Sequence, residues 1–360
     1  MKFPLLVVCA AVACGAAPSE DSDTDDLSPT RYSMEMVRAN PSLLPGVTPP
    51  PGVRVNGSAR PLSSDDAKAK VAPIDRRNWL YDANQLGQFL TLADPAAFDK
   101  TDAADATYSR QPGDLFADDG KLTWLDVEQG YLGDCYFASS LSAVLYADDG
   151  GALTKSLVVP HTSGGKVVAY DVTFFQASGR KVKVEVDPDL LHRNSNGHVY
   201  YMRSTQTKPG YEEWAPSLVE KAYAKWHGSY KSIGGGGTAA DAVYALTGRK
   251  TKSYLATDAG VVAAIDKAAK TGKPQVACTF GDHSGVKYPT GIYADHCYTL
   301  RGIHHTSSGD MVQVRNPWGP GAAGDAEPTE PPTADGNPDA LFEVTVAQFG
   351  QLWNTVDIVP

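Results

Sequence analysis

The sequence predicts an α+β chain in two lobes, helices around a cysteine first and strands around a histidine later. Three observations carry this. Apolar residues recur at helical spacing directly after Cys135, at Phe137, Leu141, Val144 and Leu145. A second helix is expected from Ala215 to Trp226, with its apolar stripe at Leu218, Val219, Ala222, Tyr223 and Trp226. The last third changes to short apolar runs at residues 274–280, 296–303 and 311–316, which read as strands.

The elements follow in order. Asp134 sits where a helix N-cap belongs, and Gly150 or Gly151 supplies the stop. Residues 167–175 and 182–186 read as strands joined through Gly179. Pro216 is compatible with the first turn of the second helix. Residues 234–237 are all glycine and make a flexible join, after which Thr238 caps a third helix that stops at Gly248. Ser307, Ser308, Gly309 and Asp310 are turn residues, so the strands on either side pair as a hairpin whose turn holds His304 and His305. Residues 321–338 read as a loop, and an apolar segment closes the chain.

The chain has 360 residues, a net charge of −10 and a pI near 5.3. The acidic balance argues against a nucleic-acid surface, which needs a basic face. Residues 1–18 read as an export signal: a basic start at Lys2, an apolar run over residues 5–13, then small residues. Val12-Ala13-Cys14-Gly15 also resembles a bacterial lipoprotein cleavage box, with Ala11 where such boxes carry Leu. Two readings stay open, a plain secretory signal and a lipid anchor at Cys14. Contact with a membrane is expected only through that anchor, and the protein is expected to be secreted, periplasmic or held at the cell envelope. Residues 19–75, acidic and then proline-rich, read as a disordered linker or a pro-segment. Residues 76–360 form the ordered domain, its first lobe running to about 232 and its second over 233–360.

After the signal, three cysteines remain: Cys135, Cys278 and Cys297. An odd number leaves at least one thiol unpaired. Cys278 and Cys297 fall on expected neighbouring strands. A disulfide between them is open to an exported chain, but two free buried thiols are the reading preferred here. Cys135 starts a helix, where the helix dipole favours a thiolate and a free backbone N–H faces any oxyanion. Gln129 lies six residues upstream across Gly130 and Gly133, which permit a tight loop returning its amide to Cys135. A hairpin centred near Thr306 sets His296 opposite Asn316, on one sheet face. Asn316 then holds one imidazole nitrogen and leaves the other for sulfur, the logic of a catalytic triad. A register slip of one residue would separate them.

Four segments in this order carry a resemblance. Gln129-Gly130-Tyr131-Leu132-Gly133-Asp134-Cys135-Tyr136-Phe137 resembles the cysteine box of the calpain family. Asp295-His296-Cys297-Tyr298 resembles its histidine box, and Arg315-Asn316-Pro317-Trp318-Gly319 its asparagine box. The segment from Trp214 to Tyr230 is similar to its long central helix. The likeness runs from about Gly113 onward and covers the protease core alone, without the calcium-binding and membrane-binding modules of larger relatives. Tyr136 stands where the family usually has Trp, and Asp295 where it usually has Gly. That carboxylate is expected either to raise the histidine pKa or to face solvent.

The resemblance implies a papain-like fold, with a helical cysteine lobe and a β-rich His/Asn lobe, and a cysteine endopeptidase acting on protein or peptide substrates. It implies Cys135 as nucleophile, His296 as acid and base, Asn316 as orienter, Gln129 as oxyanion donor and Trp318 as the shield of the His–Asn pair. No cofactor is implied for the chemistry itself. Calcium is implied as a possible activator, with Asp126 and Glu212 as candidate ligands of a first site. A second site, at Asp339, lacks its acid because Leu341 stands in that position. The alternatives are a transglutaminase-type acyl transferase and a catalytically silent binding or anchor protein on the same fold. His161, His192, His198, His227 and His283 show no ligand spacing.

Overall fold

A computed structural model describes residues 93–116, 120–148, 151–204, 211–289, 292–319 and 340–360. The expected signal, the linker, the start of the ordered domain, the 321–338 loop and Asp339 lie outside the described residues. The fold is α+β and papain-like.

The first lobe contains α1 (Lys100–Asp105), β1 (Ala106–Ser109), β2 (Gly113–Asp114), α2 (Cys135–Asp148), α3 (Ala152–Leu157), β3 (Val158–Ser163), β4 (Lys166–Phe175), β5 (Lys181–Val186), β6 (Leu190–Arg193), β7 (Glu212–Glu213), α4 (Ala215–Trp226), α5 (Tyr230–Gly234) and α6 (Ala239–Thr247). The stripe expected on α4 is buried apart from half-buried Trp226, and its N1/N2 proline is Pro216. Thr238 caps α6 by accepting from Asp241 N–H, and Gly248 ends it in the left-handed region. The helix after Cys135 differs from the expectation of a single buried face. Every residue from Cys135 to Leu145 is buried, so α2 is a central helix packed on all sides. It stops at Asp148, whose carboxylate accepts from Thr154 N–H at 2.8 Å. Gly151 opens α3 instead of closing α2.

The second lobe holds β8 (Lys252–Leu255), α7 (Val261–Lys270), β9 (Gln275–Thr279), β10 (Cys297–Thr306), β11 (Gly309–Arg315), β12 (Leu341–Thr345), α8 (Val346–Leu352) and β13 (Trp353–Ile358). The strands form one antiparallel sheet in the order β12-β11-β10-β9-β13-β8. Alternation along its strands serves two cores. Val276, Cys278 and Cys297 join the helical lobe's core, while Ala277, Tyr298 and Leu300 join a second core with Ile265, Phe349 and Trp353. The buried residues of α6, Ala239 to Leu246, belong to the first core.

Two expectations are corrected. Cys278 and Cys297 are not free thiols: they face each other across β9 and β10 and form a disulfide. Two strand signals in sequence do not reveal which residues the register will oppose. His304 and His305 lie within β10 instead of a turn, paired with Met311 and Asp310. The turn itself is only Ser307-Ser308.

Candidate active site

The site forms where the buried start of α2 meets the start of β10, an interior strand of the second-lobe sheet. Cys135 is the first residue of α2 and is fully buried. Its thiol donates to the main-chain carbonyl of Asp295 at 3.8 Å, which sets the sulfur against the peptide bond that enters His296. Thr299 on β10 ties the two lobes together, its hydroxyl donating to Ser139 O of α2 at 2.8 Å.

His296 Nε2 lies 2.8 Å from Asn316 Oδ1, and both residues are buried. The Trp318 backbone N–H also donates to that oxygen, at 3.1 Å. A backbone N–H can only donate, so the amide orientation is set and this atom is the acceptor. Nε2 therefore carries the hydrogen, and Nδ1 is left for the thiol. Trp318 lies over the imidazole with ring centroids 4.6 Å apart, Tyr298 meets it edge-on at 4.8 Å, and Tyr293 packs on Trp318 at 4.3 Å. Trp318 thus lies against the imidazole.

The pair meets by a different register from the one the sequence suggested. The ladder pairs Thr306 with Gly309 and continues to Gly302 and Gln313. A bulge at Arg301 then shifts it, so that Leu300 faces Val314 and Thr299 faces Arg315. Extended one residue past its end, that register would set Tyr298 opposite Asn316, with His296 two residues along on the same face. Without the bulge the offset would be odd and the two side chains would point to opposite faces. Gly302 completes the bulge at φ 140°, where an added Cβ would lie 2.8 Å from Ala269 Cβ.

Gln129 is drawn in from both sides. Its backbone N–H donates to Pro317 O at 2.8 Å, which joins the cysteine box to the asparagine box. Its side-chain Nε2 donates to Leu132 O at 2.6 Å. One amide hydrogen is committed to that carbonyl, and the second is the one an oxyanion would receive. Gly130 permits the loop, because a Cβ there would overlap the Tyr201 backbone at 2.1 Å.

The flanking acids act differently from expectation. Asp134 occupies the N-cap position, and its carbonyl accepts from Phe137 and Ala138 N–H, but its carboxyl makes no cap bond. The carboxyl is buried against Glu220 of α4, and burial pushes both acids up, Asp134 to about 7. Asp295 is also buried instead of facing solvent. Its φ of 49° lies in the left-handed region, and its carboxylate accepts from Asp282 N–H at 2.9 Å. Glycine is the ordinary residue for that backbone and aspartate tolerates it, which accounts for the substitution in the histidine box.

The calcium candidates are each committed within the chain. Asp126 Oδ2 accepts from Thr123 N–H at 2.5 Å and from its hydroxyl at 2.7 Å. Glu212 Oε1 lies 2.7 Å from His192 Nε2, while His192 Nδ1 lies 2.9 Å from Ser109 Oγ. Calcium takes six to eight oxygens. Among the described residues neither acid belongs to a converging set of three His, Cys, Asp or Glu side chains. The converging set among the described residues is His161, Asp171 and Glu185, brought together from three strands, which is why spacing along the sequence missed it.

A second unexpected residue is Arg315, the first member of the asparagine box. It is fully buried. Its guanidinium donates to Val127 O at 2.9 Å and Ser142 Oγ at 3.2 Å, and lies 5.6 Å from the Trp124 ring centroid. It ties β11 to the loop that leads into Gln129.

A thiol at a helix start, an imidazole whose far nitrogen is fixed by an amide, and an amide donor upstream define a papain-like thiol hydrolase site. The family profile described as calpain family cysteine protease matches residues 105–326, and the chain belongs to that family. It is 32% identical over 235 residues to Calpain clp-4 of Caenorhabditis elegans, covering 61% of this chain and 31% of that protein. To Calpain-B of Drosophila melanogaster it is 31% identical over 251 residues, covering 64% and 25%. To Calpain-12 of Mus musculus it is 35% identical over 202 residues, covering 54% and 26%. The matched stretch thus spans between a quarter and a third of these relatives.

Proposed function

We propose that this chain is a cysteine endopeptidase. The Cys135 thiolate attacks a peptide carbonyl, and the oxyanion is received by the Cys135 backbone N–H and the second amide hydrogen of Gln129. The carbon–nitrogen bond breaks as protonated His296 gives its Nδ1 proton to the leaving amine. Water, deprotonated by His296, then cleaves the thioester and restores the thiol. No step runs through calcium, which enters this reading only as an activator suggested by the family.

The carrying observation is the His296–Asn316 bond, oriented by Trp318 N–H, beside a thiol placed against the same strand start. An epoxide thiol probe is expected to label the wild-type protein and not Cys135→Ala, with new peptide termini released from a denatured protein substrate. Absence of labelling, or cross-links in place of new termini, would sink the peptidase reading.

The same proposal places the enzyme outside the cytosol. The Cys278–Cys297 disulfide supports this, because such bonds persist in oxidising compartments. No helix among the described residues is long and apolar enough to cross a membrane. Mass spectrometry of the protein from its native host is expected to find an N-terminus cleaved within about the first 20 residues. A lipid on Cys14 would specify envelope anchoring, and retention of the whole leader would contradict export.

A further inference from the structure

The helix that carries the nucleophile starts on a buried acid with a buried acid for its partner. Asp134 is 0% exposed, and apart from its own backbone N–H no N–H or hydroxyl group donates to its carboxyl. Glu220 is 1% exposed, and its two oxygens accept from the Met202 N–H at 3.1 and 3.0 Å. The two carboxyls lie against each other, within reach of a hydrogen bond. Two acids form such a bond only when one of them keeps a proton, because two buried carboxylates in contact repel and lack solvation.

The surroundings offer no substitute for that proton. The tyrosines whose charge would interact with the pair are Tyr108 on β1, Tyr201 in the segment before α4, Tyr223 on α4 and Tyr230 on α5. Burial pushes all four up, so they stay neutral. Lys221, next to Glu220, turns instead to Asp187 at 2.9 Å and to Asp94. Arg203, beyond Met202, turns to Glu128 at 3.9 Å. No ion pair links a cation to Asp134 or Glu220 among the described residues. At the helix start itself the ionisable groups are Cys135 and Tyr136, whose hydroxyl donates to Ile233 O at 3.2 Å.

We propose that Asp134 and Glu220 are positioning residues for the peptidase reaction, sharing a proton that holds the Asp134 turn and thereby seats Cys135 at the first position of α2. The proposal rests on the peptidase reading. The turn is structurally tight: the Asp134 carbonyl accepts the first helical N–H groups at 2.8 and 3.0 Å, and Gly133 bridges to Gly235. Losing the shared proton puts two negative charges beneath this turn, beside a sulfur that must itself become negative. The sign follows from the direction of both shifts. An acid whose folded pKa is raised favours the fold at low pH, and that contribution is lost as pH rises through the folded value. Activity should therefore fall on the alkaline side.

The variant Glu220→Gln separates this from simple packing. Its amide N–H donates permanently to Asp134, and its amide oxygen still accepts from Met202 N–H. We expect the alkaline limb of the kcat/KM profile to move up by about one pH unit or more in Glu220→Gln. We expect Glu220→Leu, which has no donor, to lose about tenfold or more in kcat. Superimposed profiles for the wild-type protein and an active Glu220→Gln would overturn the proposal. An infrared titration tests it without activity. The carbonyl stretch of a neutral buried acid should persist at pH 7 in the wild-type protein and weaken in Glu220→Gln. If that variant does not fold, the wild-type titration decides, and absence of the band at pH 7 overturns the proposal. A band present in a protein with no peptidase activity would keep the shared proton and reject the peptidase reading.

Discussion

Replacing His296 by alanine is expected to lower kcat/KM on a peptide substrate by about 10³-fold or more. The expectation comes from how completely the ring is specified. Asn316 Oδ1 accepts from both Trp318 N–H and His296 Nε2, so the hydrogen sits on Nε2 and the other nitrogen serves the thiol. Trp318 and Tyr298 pack against the ring and hold its plane. Alanine removes the base that activates sulfur and the acid that protonates the leaving amine. These act in the transition state, so kcat should carry the loss and KM should change little. The fold should survive, since the backbone bonds of residue 296 to Thr279 remain, and a urea midpoint near the wild-type value would verify that. A folded variant losing less than tenfold would remove His296 from the mechanism.

Arg315→Met is expected to destabilise the protein by about 3–5 kcal/mol, read as a lower urea midpoint. The guanidinium is fully buried and serves three acceptors, on α2 and on the loop before it, with Val127 O and Ser142 Oγ the closest. Leu125 O receives a longer bond at 3.5 Å. Methionine fills comparable space but leaves those acceptors without donors, each costing about 1–3 kcal/mol. Lysine should recover only part of the loss, because one ammonium cannot reproduce the planar fork. Gln129 lies two residues beyond Val127, so activity should fall as well. A midpoint within error of the wild-type value would show that Arg315 is not a structural tie.

The two residues differ in how far the sequence exposed them. His296 was legible because a histidine box, an asparagine box and turn residues lay in a readable order. Arg315 lies within the asparagine box, yet nothing local shows that its charge is buried. The same limit applies to Asp134. An acid before a helix reads as an N-cap, but the position of α4 beneath the turn gives it Glu220 as partner instead. It applies also to Cys278 and Cys297, whose strands were expected and whose pairing depended on register.

The His296–Asn316 pairing shows the division within one feature. The structure brings its two expected residues within hydrogen-bond reach, and the hairpin between them was expected. The stated register was wrong: the turn at Ser307-Ser308 moved it, and the bulge at Arg301 returned the two side chains to one face. The sequence alone determined what depends on neighbouring residues. That includes the α4 and α6 helices, the Thr238 and Gly248 caps, and the succession of chemical groups from Cys135 to Asn316. Tertiary structure decided strand register, the disulfide, the partner of Asp134 and the burial of Arg315. The physical reason is range. Periodicity, capping and turn preference act over a few residues, whereas desolvation and cross-strand pairing depend on distant segments that meet only in the folded chain.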